Sequence, residues 1–152
     1  VEEIFLDQLL IESMSEFQLQ IEQEERDVYI QVSPESAKIK SHSDKLSRIL
    51  VNLLNNAFKY SEPGTRIEVL AQLTEQELTI SVKDEGQGIL PEYLEKIFKR
   101  LYRVETSRNM KTGGHGLGLA IARELAYQLG GEITVESQYG LGSKFTFSLS
   151  LK

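Results

Sequence analysis

The sequence predicts an α+β domain, a two-layer sandwich with helices packed on one face of a mixed, mostly antiparallel sheet. Three observations predict it. Apolar residues recur at helical spacing over long stretches, most clearly between Ser43 and Tyr60. Elsewhere they alternate with polar residues in short runs joined by turns, as in Ile67, Val69, Ala71 and Leu73 followed by Leu78, Ile80 and Val82. Strands and helices do not take turns with the regularity that a parallel, doubly wound sheet requires.

The elements follow in chain order. From Asp7, read as an N-cap, the residues Leu10, Met14, Phe17 and Ile21 form one apolar stripe, which predicts a single amphipathic helix. Val28, Ile30 and Val32 alternate, Pro34 breaks the run, and Ala37 and Ile39 resume it, giving two short strands. Ser43 and Asp44 open the best-defined helix of the first half, with Leu46, Ile49, Leu50, Leu53, Leu54 and Ala57 on one side. The turn Glu62-Pro63-Gly64 leads into the two alternating runs, and the short connection around Glu75 makes them an antiparallel hairpin. A glycine-bearing loop, a short helix from about Pro91 and a polar stretch from Glu105 to Gly114 come next; so little apolar content predicts a mobile segment there. A second good helix runs from about Gly116 to Leu129 and stops at Gly130-Gly131. It leads into alternating Ile133/Val135 and Phe145/Phe147/Leu149.

Bulk properties limit the possible functions. A chain of 152 residues with 40% hydrophobic content fits one domain with one core, spanning 1–152. The net charge of -6 repels nucleic acid and anionic lipid at long range, so an anionic ligand needs local cations or a metal. Without cysteine there is no disulfide, no thiolate nucleophile and no cysteine zinc site, which fits a reducing compartment and makes cytoplasm the expected location. No apolar run reaches the length of a membrane span, and the acidic amino terminus does not read as a signal peptide.

Three clusters carry candidate chemistry. Asn52, Asn56 and Lys59 fall on one stripe of the Ser43 helix, so two carboxamides and an ammonium share a face. Carboxamide oxygens suit Mg²⁺ and the lysine suits phosphate, although by itself the stripe also reads as a solvated polar face. Asp84-Glu85-Gly86-Gln87-Gly88 directly follows a strand: the carboxylate can accept the exocyclic amine of an adenine, and plain turn chemistry is the alternative. Gly113-Gly114-His115-Gly116-Leu117-Gly118-Leu119 joins the polar loop to a helix. Free N–H groups at a helix start cradle phosphate oxygens, and a flexible hinge is the alternative. The cluster matches neither a P-loop nor a dinucleotide fingerprint.

Together and in this order, these clusters resemble the GHKL ATPase superfamily, and within it the sensor histidine kinases. Asn52 to Ser61 is similar to that family's asparagine box, and Asp84 to Gly88 to its first glycine box. Ile97-Phe98 through Tyr102-Arg103 resembles the phenylalanine box, Gly114 to Leu119 the second glycine box, and Gly140-Leu141-Gly142-Ser143-Lys144-Phe145 a further family motif. The resemblance implies the Bergerat ATP-binding fold, with ATP and Mg²⁺ bound and the γ-phosphoryl group passed to a protein histidine. It implies Asn56 as the leading Mg²⁺ ligand with Asn52 nearby, Lys59 and Tyr60 at the phosphates, and Asp84 at the adenine amino group. Gly86 and Gly88 would shape the base pocket with help from Thr146. Arg103 would reach the terminal phosphate, and Gly114, His115, Gly116, Leu117 and Gly118 would line the phosphates, with Glu105 to Gly114 as the lid. Asn56, Lys59 and Arg103 would carry the transfer.

Two positions depart from the pattern: Leu101 stands where the family often has a second phenylalanine, and His115 where a small hydroxyl residue is more usual. Neither His42 nor His115 resembles the family's acceptor histidine. The expected partners are therefore a histidine-bearing dimerisation domain outside this chain and, through a membrane-anchored bacterial parent, a response regulator. The isolated domain is expected not to phosphorylate itself. Rival readings are an anti-sigma factor kinase of the same superfamily, which phosphorylates serine on a protein partner, and a pseudokinase that senses or merely holds nucleotide. Arg103 and the late Gly-x-Gly-Ser motif favour the histidine kinase over the first, and intact Asn56, Lys59 and Asp84 favour it over the second.

Overall fold

Alternation and helical spacing sort the apolar side chains onto two facing surfaces, and the computed structural model, which describes residues 1–86, 88–94, 97 and 118–151, brings these surfaces together as one core. The strands are β1 (Glu2–Phe5), β2 (Asp27–Ser33), β3 (Lys38–Ser41), β4 (Arg66–Leu73), β5 (Glu77–Asp84), β6 (Glu132–Gln138) and β7 (Gly142–Ser150). The helices are α1 (Leu6–Ser15), α2 (Gln18–Glu24), α3 (Ser43–Lys59) and α4 (Gly118–Gln128), with a single 3-10 turn at Pro91–Tyr93. Five strands form the main sheet in the order β2-β4-β5-β7-β6, and β1 pairs with β3 in a small sheet of its own. Among the described residues only β2 and β4 run parallel; every other neighbouring pair is antiparallel. The predicted α+β class and the mixed, mostly antiparallel sheet hold.

Register explains the layering. Ile67, Val69 and Ala71 of β4 stand opposite Asp84, Val82 and Ile80 of β5, which in turn stand opposite Ser143, Phe145 and Phe147 of β7. All these side chains are buried, whereas their strand neighbours are mostly polar and partly exposed. Helix α3 buries Leu46, Ile49, Leu50, Leu53, Leu54, Ala57 and Phe58, packing along α4 and against β5. Burial of each large side chain is worth about 1.5–3 kcal/mol. That total far exceeds the loss of at most about 0.7 kcal/mol that each mid-helix asparagine brings. The helix therefore tolerates Asn52, Asn55 and Asn56.

Several expectations are corrected. The single helix from Asp7 to Ile21 is two helices, because the chain leaves helical geometry at Phe17 (φ -107, ψ 6). The departure lays the Phe17 ring on Phe58, with centroids 4.9 Å apart and planes 11° from parallel. Asp7 is not the N-cap: Phe5 holds that position, and the Asp7 carboxylate accepts the adjacent Gln8 N–H at 2.7 Å. Strand β1 was not foreseen, since Glu-Glu-Ile-Phe is too short to alternate visibly; β3 supplies the pairing that makes it a strand. The helix from Pro91 is, among the described residues, a single 3-10 turn. The predicted start of the last helix at Gly116 lies outside the described residues, as does the polar stretch from Glu105 to Gly114.

Candidate functional site

Asp84 ends β5 on the core face, in phase with Leu78, Ile80 and Val82, and is only 3% exposed. Its Oδ1 accepts the Gly86 N–H at 2.8 Å, and the Ser143 backbone amide, in register on β7, also favours the charged form of the carboxylate. Burial pushes the carboxyl up to about 6, against the opposing pull of the Gly86 and Ser143 amides and the Arg26 charge. At neutral pH it is thus an ionised carboxylate with little water around it. A carboxylate has about four lone-pair sites. Two backbone donors leave capacity for a further N–H, such as an amino group of a base.

Beside it, Gly86 touches the end of α3: a Cβ there would overlap the Tyr60 carbonyl oxygen. Gly88 (φ +74) in the same loop abuts the Gln138 carbonyl at the end of β6. Both glycines were expected to shape the base pocket. What each admits in this structure is the chain's own backbone, Tyr60 at Gly86 and Gln138 at Gly88. The Ser137 hydroxyl ties neighbouring segments together. It accepts the Ile89 N–H at 2.7 Å and lies 3.1 Å from the Gly142 carbonyl and 3.2 Å from the Ser143 hydroxyl.

Asn52, Asn56, Lys59 and Tyr60 are all half-buried along one side of α3. At 1.5 Å per residue, Asn52 and Tyr60 stand about 12 Å apart along the axis. Tyr60 meets the Asp84 end, and Asn52 meets α4, where a Cβ on Gly118 would lie 3.8 Å from Asn52 Oδ1. Among the described residues Asn52 Nδ2 is buried without a hydrogen-bond acceptor. Such a donor is costly to leave unpaired and suits an anionic oxygen. Among the described residues no group of three His, Asp or Glu side chains can hold a metal. A divalent ion at this place would rest on neutral carboxamide oxygens and on phosphate, a donor set that fits Mg²⁺.

Thr146 is a correction. It pairs with Ser81 and Thr134, one residue out of phase with Phe145 and Phe147, so it lies on the sheet face turned away from Asp84. Ser143, in register with Asp84, is the β7 residue next to it on the core face. Strand parity alone would have found this, because Ser143 has the same parity as Phe145 and Phe147. Arg103, Gly114, His115, Gly116 and Leu117 lie outside the described residues, as do Gln87 and Leu101. His42 is exposed at the junction of β3 and α3.

The fold is thus an α+β sandwich, a helix-backed, mostly antiparallel sheet with a buried carboxylate at a strand end beside an amide-bearing helix. Residues 41–152 match the family model described as histidine kinase-, DNA gyrase B-, and HSP90-like ATPase. The chain belongs to that family, and it is a catalytic, ATP-binding domain of the sensor histidine kinase type. The histidine protein kinase SaeS of Staphylococcus epidermidis is 42% identical over 151 residues, covering 98% of this chain and 43% of SaeS. The chain thus spans less than half the length of that curated relative. The nucleotide-free catalytic domain of histidine kinase ThkA superposes with a TM-score of 0.85 at 25% identity, covering 97% of this chain and 95% of that one. Full-length ShkA, solved in complex with AMPPNP, superposes with a TM-score of 0.84 at 25% identity, covering 97% of this chain and 30% of ShkA. No helix among the described residues is long and apolar enough to cross a membrane.

Proposed function

We propose that this chain holds Mg²⁺-ATP between α3, the Asp84 loop and the start of α4, and presents the γ-phosphoryl group to a histidine on a separate dimerisation domain of a larger sensor kinase. The observation that carries the reading is the buried Asp84 carboxylate, held by backbone N–H groups and flanked by the Tyr60 end of the α3 amide stripe. Asp84 accepts the adenine amino group in an environment too dry for water to compete well. Lys59 and Tyr60 meet phosphate oxygens, as does Arg103. Asn56, with Asn52 nearby, holds Mg²⁺, which when bound neutralises phosphate charge. Backbone N–H groups of Gly114, His115, Gly116, Leu117 and Gly118 line the phosphates, and 105–114 serves as the lid.

Phosphoryl transfer asks a protein mainly to position the reactants and to stabilise charge. Residues 1–152 act as one catalytic unit. The attacking imidazole comes from the dimerisation domain, and the phosphoryl group passes on to a response regulator. The parent kinase is anchored in a bacterial membrane with this domain on the cytoplasmic side. His42 and His115 are not acceptors, so the chain alone binds ATP without labelling itself.

A fluorescent ATP analogue titrated with and without Mg²⁺ tests binding, and γ-labelled ATP with a separately purified histidine-bearing domain tests transfer. Label on the added domain, lost with Asn56→Asp in a chain that still folds, is the expected result. Stable label on His42 or His115 of the chain alone, or wild-type transfer by Asn56→Asp, overturns the assignment.

A further inference from the structure

Arg26 belongs to none of the motifs and sits in an acidic, solvent-loving stretch of sequence, yet its side chain is 1% exposed. It enters the core because α2 ends at Glu25 in the left-handed conformation (φ 53), while the Arg26 N–H returns to the Ile21 carbonyl at 3.0 Å. All five guanidinium N–H groups have acceptors. Nε donates to Glu24 at 2.7 Å, and Nη1 donates to the hydroxyls of Ser61 at 2.7 Å and Thr65 at 2.9 Å. Nη2 donates to the carbonyls of Phe58 at 3.1 Å and Ser61 at 2.9 Å. The guanidinium also lies 5.2 Å from the centre of the Phe58 ring, whose neighbour Phe17 stacks beside it.

The acceptors are what make this more than packing. The last carbonyls of a helix have no partner within the helix and carry partial negative charge, so a cation there is favoured. Arg26 takes the Phe58 carbonyl in the last turn of α3 and the Ser61 carbonyl two residues past its end, and the Ser61 hydroxyl donates to the Ala57 carbonyl at 2.7 Å. Lys59 and Tyr60 are the two residues between the gripped carbonyls, and the Tyr60 carbonyl rests against Gly86. Their backbone is therefore held from both sides. The same positive charge draws the Asp84 carboxyl downward.

Resting on the site reading above, we infer that Arg26 is a positioning residue for nucleotide binding, which fixes the end of α3 so that Lys59 and Tyr60 meet the phosphates. A planar five-donor fork can do this, whereas the point charge of lysine reaches fewer acceptors. The test compares ATP with adenosine, both in Mg²⁺, displacing a fluorescent ATP analogue from the 152-residue chain at a temperature where each variant is folded by circular dichroism. Arg26→Lys lowers ATP affinity about tenfold, the scale of one hydrogen bond to a charged group, and Thr65→Val, which removes one half-buried acceptor, about threefold, within the range of a single net hydrogen bond. Adenosine affinity stays near wild type in both, and Arg26→Met loses at least as much ATP affinity as Arg26→Lys. Should Arg26→Met fail to fold, the other two variants carry the comparison.

Lys59→Ala separates the two levels. A loss of ATP affinity in Lys59→Ala, with the ATP-to-adenosine ratio unchanged in Arg26→Lys and Thr65→Val, leaves the site reading intact and reduces Arg26 to a structural residue. An unchanged ratio in Lys59→Ala overturns the site reading and this inference with it.

Discussion

Replacing Asp84 with asparagine is expected to make the chain more stable and less able to bind ATP. The folded carboxyl is pushed from 3.8 to about 6, chiefly by burial, so it lies above its unfolded value. A group shifted in this sense gives its full stabilisation below pH about 4, where it is protonated in both states. That stabilisation is lost as pH rises through about 6, because ionising the carboxyl in the fold is harder than ionising it in the open chain. A shift of about 2 units at 1.36 kcal/mol per unit comes to about 3 kcal/mol. Asparagine carries no charge at any of these pH values and escapes the loss. Urea unfolding of both proteins from pH 4 to pH 8 measures it, since other carboxylates cancel in the difference. The asparagine variant gains up to about 3 kcal/mol on wild type across this window. A difference that stays flat, or that moves toward wild type as pH rises, refutes the reasoning. At pH 7.5 the variant also binds a fluorescent ATP analogue at least about tenfold more weakly, since a hydrogen bond to a charged acceptor is worth about 1.5–3 kcal/mol.

Further outcomes follow from the same geometry. Gly86→Ala forces a Cβ onto the Tyr60 carbonyl and is expected to lower stability by about 1–3 kcal/mol in a urea titration and to weaken ATP binding as Tyr60 moves. Leu54→Ala, at a fully buried position of α3, is expected to lose about 2–5 kcal/mol, read as a lower unfolding midpoint. Thr146→Val, on the far face of the sheet, leaves ATP-analogue affinity within about twofold of wild type, below the scale of one lost hydrogen bond. Chelating Mg²⁺ with EDTA weakens ATP binding while leaving adenosine binding unchanged.

The layers and most elements were legible because they rest on local rules. The leucines of α3 recur with the helical period, and the hairpin of β4 and β5 alternates with the strand period. Asp84 was recognisable as a candidate, and its parity with Leu78, Ile80 and Val82, a reading not drawn from the sequence, agrees with the face it takes. The same rule applied to β7 separates Ser143 from Thr146. Thr146 lies one residue past the Gly140 to Phe145 motif, and alternation gives the better guide to its face.

Other features have no local rule behind them. Nothing in Leu6 to Glu24 marks the break at Phe17, because the reason for it is Phe58, far along the chain. Strand β1 exists because β3 offers it hydrogen bonds. In the sequence Arg26 is one more charge in a charged run, and its role arises when α2, α3 and the Thr65 turn close around it. Periodicity and the order of the motifs were enough to reveal an α+β nucleotide-binding chain. Which carboxylate is dry, which glycine admits which carbonyl and which cation holds the end of α3 became fixed only when distant segments packed together, since burial and hydrogen-bond partners are properties of the closed core and not of any stretch of chain.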